Sequence, residues 1–168
     1  SKKHIDRILE FKSLHDCILA SHDDTTENDV HNSNKYGVKL DEFPTTLEPA
    51  KTSKDNNIKV MMGSPNLLRG GSHSGNISAK ELLENDCLDI LSSDYIPSSL
   101  IVSVVKWGLE IDNLPKAFAA ASHAPSIATN LNDRGSIDNN KRADLIRFKI
   151  YQNLPVVKNV WSNGIQVS

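Results

Sequence analysis

Short apolar runs alternate with amphipathic stretches through most of this chain. Ile5, Ile8, Leu9 and Phe11 recur near helical spacing and predict a helix over about the first dozen residues. Cys17-Ile18-Leu19-Ala20 reads as a short apolar strand. Thr25 or Thr26 can cap the next helix, and Gly37 suits the position just past its end. Val38 to Phe43 alternates and predicts a strand that stops at Pro44-Thr45-Thr46. A helix over Leu47 to Asn56 and a strand over Ile58 to Met62 follow, the strand stopped by Gly63, Ser64 and Pro65. After a long Gly/Ser loop, Ser78-Ala79-Lys80-Glu81 forms a capping-box pattern for a short helix. That helix leads to a buried strand over Leu88 to Leu91, and helices are expected over Pro97 to Leu109 and Pro115 to His123.

Strand and helix therefore alternate at least four times before residue 130. That alternation predicts βα units and a parallel sheet, an α/β fold. The last 35 residues or so change character. Ala143 to Ile150 and Leu154 to Trp161 are strand-like, and Asn163-Gly164 before Ile165-Gln166-Val167 is a strong hairpin signal. The expected organisation is a βα domain over residues 1–132 and a small β annex over 133–168.

Composition narrows the functional classes. The 168 residues carry 24% charged side chains and a formal net charge of -2, with Lys and Arg scattered. Nothing there points to nucleic acid or an anionic membrane as partner. The apolar run Leu100 to Val105 is too short to span a bilayer. The two cysteines, Cys17 and Cys87, lack metal-type spacing and are read as buried thiols of a cytoplasmic protein. Ser1 opens the chain inside a helical pattern, which hints at a truncated or processed start.

Three stretches concentrate chemistry. The strand Leu88 to Leu91 runs into Ser92, Ser93 and Asp94, with Pro97 just behind. A carboxylate at the C-terminal end of a strand is where α/β proteins place their sites. The competing reading of Asp94 is a cap for the turn at Pro97. Ala20-Ser21-His22-Asp23-Asp24 ends another strand with a histidine, which a hydrogen bond could also explain, and Asp23 or Asp24 could cap the next helix. Arg69, Gly70, Gly71, Ser72, His73, Ser74, Gly75 and Asn76 form a basic, donor-rich loop suited to polyphosphate, or an ordinary surface loop. Glu42, Thr45 and Thr46 could line the same rim or serve only the turn. Trp107 and Trp161 are read as core, and His123 as structural.

In this order, Ala-Ser-His-Asp-Asp (20–24), Glu-Phe-Pro-Thr-Thr (42–46), Met-Gly-Ser-Pro-Asn (62–66), the loop at 69–76 and Asp-Ile-Leu-Ser-Ser-Asp-Tyr (89–95) resemble a hydrolase family. It is the diphosphatase branch of the amidohydrolase superfamily that serves phosphonate catabolism. Asp133-Arg134-Gly135 and Lys141-Arg142-Ala143-Asp144-Leu145 resemble the superfamily's return to its β-sandwich, with Asn139-Asn140 standing where a glycine is usual. The resemblance implies the second half of a (β/α)₈ barrel, about four βα units, plus the C-terminal part of the annex. It implies divalent metal ions of zinc, manganese or magnesium type. His22 would match the sixth-strand metal ligand, and Asp94 the eighth-strand aspartate that binds metal and moves the proton of the attacking water. His73 could also touch metal.

The implied reaction is cleavage of a phosphoanhydride of ribose 1-methylphosphonate 5-triphosphate, releasing diphosphate. The His-x-His pair of such sites has no counterpart here, so the chain alone is expected to be inactive. Two further readings stand beside this one. The first is a non-catalytic remnant, or a subunit that docks to a separate N-terminal half or to itself through its open edges. The second is an amidohydrolase acting on a C–N bond of a cyclic amide.

Overall fold

The computed structural model describes residues 2–15, 17–72 and 75–168. Two compact units emerge, one formed by Ser1–Met62 with Gly71–Leu88 and the other by Gly63–Gly70 with Asp89–Ser168.

The first unit opens with helix α1 (Lys2–Leu14), whose Ile8, Phe11 and Leu14 are exposed. Strand β1 (Leu19–His22), helix α2 (Glu27–Lys35), strand β2 (Val38–Glu42), helix α3 (Leu47–Asp55) and strand β3 (Lys59–Gly63) follow in strict alternation. β1 pairs with β2 and β2 with β3, all parallel. The α/β class with parallel strands is therefore observed. Val30, Val38 and Ile58 pack together, with Leu19 against them. β1 starts two residues later than its apolar run suggests, so half-buried Cys17 precedes the strand.

β2 departs from simple alternation. Leu40 and Asp41 are both buried, because helices cover one face of a parallel sheet while the other is also enclosed. Asp41 has no exposed surface. The Ser53 hydroxyl of α3 donates to its Oδ2 at 2.6 Å, and Oδ1 has no hydrogen-bond partner. Across the ladder, Ser21 is its register partner and also buries a hydroxyl without one. Desolvation pushes the Asp41 carboxyl up to about 7; the Ser53 bond opposes this, nearby Asp24 adds to it, and His22 draws it back.

The second unit begins with a helix that the sequence reading treats as a strand stop and loop. Helix α4 (Ser64–Arg69) starts directly after β3, with Pro65 in its first turn. A proline there needs no amide and has its φ preset for a helix, so Gly-Ser-Pro starts a helix here as well as ending a strand. Helix α5 (Ala79–Glu84), in the first unit, is capped as expected: Ser78 Oγ accepts from the Glu81 amide at 3.0 Å. Strand β4 (Ile90–Ser92) is only three residues long, and Cys87 lies buried in the turn before it.

Helices α6 (Ser99–Glu110) and α7 (Leu114–Ala121) meet where Gly108 leaves no room for a side chain. A Cβ there would sit 2.8 Å from Leu114 Cδ2. The expected helix ending at His123 breaks at Ser122, and a separate helix α8 (His123–Ala128) carries His123. Trp107 is buried on α6.

The annex is a three-stranded antiparallel sheet of β5 (Leu145–Tyr151), β6 (Leu154–Ser162) and β7 (Ile165–Gln166). Asn163 and Gly164 both take positive φ, 50° and 81°, as a type I′ turn requires. Gln152 and Asn153 do the same between β5 and β6, with φ of 48° and 61°, and no glycine announced that turn. The Asp133-Arg134 and Arg142-Ala143-Asp144 motif fastens the sheet. Asp144 Oδ1 accepts from the Asn163 amide at 2.8 Å, Ala143 O accepts from Gly164, and Asp133 O accepts from Arg142.

Asp41 predicts a pH dependence. Its folded pKa is raised, so the native state binds more protons than the unfolded chain between about 4 and about 7. Its contribution to stability should fall across that window, with a slope of at most about 1.4 kcal/mol per pH unit, and level off above it. Asp41→Asn keeps the acceptor for Ser53 and removes the titration. Urea denaturation at several pH values should show the variant gaining on the wild type from pH 4 to 7. A constant difference between the two would contradict this origin.

Candidate functional site

Each expected site residue has a definite local setting. His22 is the last residue of β1, and its register partner is Glu42, the last residue of β2. The chain then turns through left-handed backbone in both strands, at Asp23 (φ 60°) and Phe43 (φ 59°). Asp23 N–H still donates to Glu42 O, and Phe43 N–H to Met61 O, both at 3.0 Å. The ladder thus continues one step past each strand, and the kink follows under hydrogen-bond control.

His22 Nδ1 lies 3.0 Å from Asp23 Oδ2, and its ring is 5.3 Å, centroid to centroid, from Phe43. The imidazole is more than half exposed. A carboxylate accepting from one ring N–H leaves the lone pair on the other nitrogen, the usual arrangement around a metal-binding histidine. Neither aspartate caps the following helix. Thr26 does, accepting from the Asp29 amide at 3.3 Å while Asp29 Oδ2 accepts from both Thr25 and Thr26 amides. The Thr26 hydroxyl and these amides hold the Asp29 carboxyl below the usual carboxylate range. Asp24 is buried and accepts from Ser33 at 3.4 Å. Thr45 and Thr46 hydrogen-bond to Thr25 and so take part in the turn.

In the second unit, Asp94 follows β4 after one residue and takes φ 50°, a left-handed conformation that aspartate tolerates. Its Oδ1 accepts from the Tyr95 amide at 2.8 Å. It does not cap a helix, since α6 starts only at Ser99. Arg69 is not in a loop but in the last turn of α4, and its guanidinium donates to Tyr95 Oη at 2.5 Å. Tyr95 thus links the residue beside the carboxylate to the arginine. Pro65, Leu68, Arg69, Ile96, Ser98, Ser99 and Val102 line an open cleft of about 380 Å³ beside this link.

The glycine-rich stretch divides. Gly70 caps α4 with φ 81°, its amide donating to Asn66 O at 3.0 Å. Gly71, Ser72 and Asn76 are partly buried and belong to the first unit, where the Ile77 amide donates to Thr45 O at 2.9 Å. His73 and Ser74 lie outside the described residues. Sequence reasoning did not single out Gly63 or Asp41, and saw Tyr95 only as a motif letter. Gly63 could have been found from its position at a strand end; Asp41 had no signal.

The His22 imidazole with its Asp23 partner, in the first unit, and the Asp94 carboxylate, in the second, are each a donor of the kind a zinc-type ion takes. Neither is enough to hold one. Among the described residues no three His, Cys, Asp or Glu side chains come together as a metal cluster. Also among them, no helix is long and apolar enough to cross a membrane.

Known structures of the same fold define a class. The chain superposes over 99% of its length on a prolidase complexed with N-methylphosphonate-L-proline, at TM-score 0.70 and 16% identity, covering 49% of that chain. It does the same on an amidohydrolase (0.66, 12%, 48% covered) and on the ochratoxinase of A. niger (0.66, 14%, 45% covered). The fold is that of amidohydrolase structures.

The particular resemblance read from the sequence is also found. The chain is 44% identical, over 152 residues, to α-D-ribose 1-methylphosphonate 5-triphosphate diphosphatase of Escherichia coli K12. The match takes in 89% of this chain and 40% of that protein, so the chain spans well under half the length of that relative. No protein-family model matches the chain.

The turn after His22 rests on the α2 capping box. Thr26→Ala should lower stability by about 1 kcal/mol, read by urea or thermal denaturation, and Thr26→Ser should recover most of it. Equal losses for both variants would show that the hydroxyl is not what matters.

Proposed function

We propose that this chain carries the C-terminal part, about four βα units and annex strands, of a metal-dependent hydrolase of the amidohydrolase superfamily. Its reaction would be cleavage of a phosphoanhydride of ribose 1-methylphosphonate 5-triphosphate, with diphosphate released. The observation that carries this reading is the 44% identity over 152 residues to the E. coli diphosphatase. The local geometry supports it. Asp94 has one oxygen bound to the Tyr95 amide, and the Arg69 guanidinium donates to the hydroxyl of that same tyrosine.

Divalent ions, when bound, would acidify water and offset charge on the phosphates. His22, steadied by Asp23, and Asp94 would be among their protein ligands. Asp94 Oδ2 would accept the proton of the attacking water. Arg69 would pair with phosphoryl oxygens, with Gly70, Gly71, Ser72, His73, Ser74 and Asn76 supplying amides and hydroxyls around them. The P–O anhydride bond breaks as water's oxygen bonds to phosphorus, and diphosphate leaves with the electron pair.

Two donors cannot hold such ions alone, so the working enzyme needs further ligands from an N-terminal half, on the same or another polypeptide. The exposed Ile8, Phe11 and Leu14 of α1 favour such a docking partner. The purified chain with Mn²⁺ should therefore show no turnover of the triphosphate. Supplied with an N-terminal half bearing a His-x-His pair, it should turn over, and Asp94→Asn should cut that rate by about 10²–10⁴. Arg69→Ala should weaken pyrophosphate binding, measured calorimetrically, by about tenfold or more. Unchanged pyrophosphate affinity in that variant, or turnover by the chain alone, would overturn this assignment.

A further inference from the structure

Gly63 ends β3, and its backbone angles, φ -76° and ψ 134°, are open to any L residue. Conformational freedom therefore does not explain a glycine there. Space does. A Cβ at Gly63 would stand 2.6 Å from Asp94 Oδ2, 3.0 Å from Asp94 Cβ and 3.1 Å from Asp94 Cγ. All three of its nearest neighbours would be atoms of one side chain. Contacts this short are sub-van der Waals, and the backbone on both sides is constrained: Gly63 precedes buried Ser64 and Pro65 of α4, and Asp94 sits in a left-handed turn.

We infer that Gly63 is a positioning residue for Asp94: the missing side chain leaves a notch in which the carboxylate lies, with Oδ1 tied to the Tyr95 amide and Oδ2 over the strand end. The inference deepens the functional reading above and rests on it for what the carboxylate does, but not for where it is held. Two constraints acting together fix the group. The amide holds one oxygen from the turn, and the notch sets how closely the other approaches Gly63. Any larger residue at 63 would have to swing the carboxylate away from the strand end, breaking the Tyr95 bond or rotating the side chain. A strand-end carboxylate is useful to chemistry only when its free oxygen has a fixed direction, since misplacement by about 1 Å costs about 100-fold in rate.

The test uses the purified chain and two readouts that involve no turnover. In ¹H–¹⁵N spectra, the Tyr95 amide proton of Gly63→Ala should move upfield, toward its position in Asp94→Gly, which removes the acceptor and suits the left-handed turn. In thermal denaturation, Gly63→Ala should lower Tm by about 2–10 °C. The same substitution should cost little or nothing in the Asp94→Gly background, because the side chain it meets is gone. An unmoved Tyr95 amide, or a Tm loss that persists without the Asp94 side chain, overturns the inference. If Gly63→Ala alone does not fold, folding of Gly63→Ala/Asp94→Gly supports the inference, and failure of both overturns it. Loss of the hydrolase reading would show instead as turnover that ignores Asp94→Asn, with these two readouts unaffected.

Discussion

The parallel register of β1, β2 and β3 is the constraint on which the first unit's chemistry depends. Side chains alternate faces along a strand, and register partners share a face. Pairing His22 with Glu42 and Ser21 with Asp41 sorts four polar residues at one stroke. One pair is left at the strand ends beside an aspartate and a phenylalanine ring. Of the other, Asp41 is buried and accepts from Ser53 of helix α3, with the Ser21 hydroxyl across the ladder. A slip of one residue in β1 would exchange Ser21 and His22 between faces and turn the imidazole inward. The extra ladder bonds from the Asp23 and Phe43 amides pin that register at the very end where it matters.

Left-handed backbone recurs at these ends. Asp23, Phe43 and Asp94 all carry positive φ without being glycine, each just past a strand. Such conformations cost free energy and persist where surrounding bonds over-determine them. Here the bonds are on view: ladder amides for the first two and an aspartate-to-amide bond for the third. The strain makes each strand end a sharp corner, so the polar side chain at the corner projects from rigid backbone and not from a loose loop.

Much of the architecture was legible in the chain. The βα alternation, the Thr26 cap, the Ser78 cap and the Asn163-Gly164 turn all carry local physical signals, and all appear. What escaped had none, or had one that pointed both ways. Gly63-Ser64-Pro65 serves as a strand stop and as a helix start, and composition cannot choose. Gln152-Asn153 forms a left-handed turn without glycine, because the pairing of β5 and β6 dictates it. Asp41 reads as the polar half of an alternating strand, but enclosure on both faces buries it. His22 and Asp94 were legible as residue types at strand ends, and Arg69 as a residue type but not as the end of a helix. Their supports were not: Asp23 on the imidazole, Tyr95 on the guanidinium and the vacant side of Gly63 are facts of three dimensions. The family resemblance came from motif order, which periodicity alone could not supply.

The two tight turns of the annex bear on how the chain acquires its shape. Strands β5, β6 and β7 are joined by two-residue connections, so each finds its neighbour by closing a very short loop. Such hairpins assemble in about 1–10 μs. β1, β2 and β3 are separated by whole helices, and parallel pairing waits for those longer segments to be drawn in. The C-terminal ribbon is therefore set to organise ahead of the sheet that bears the histidine. The part of the molecule that looks like an appendage is the part equipped to order first.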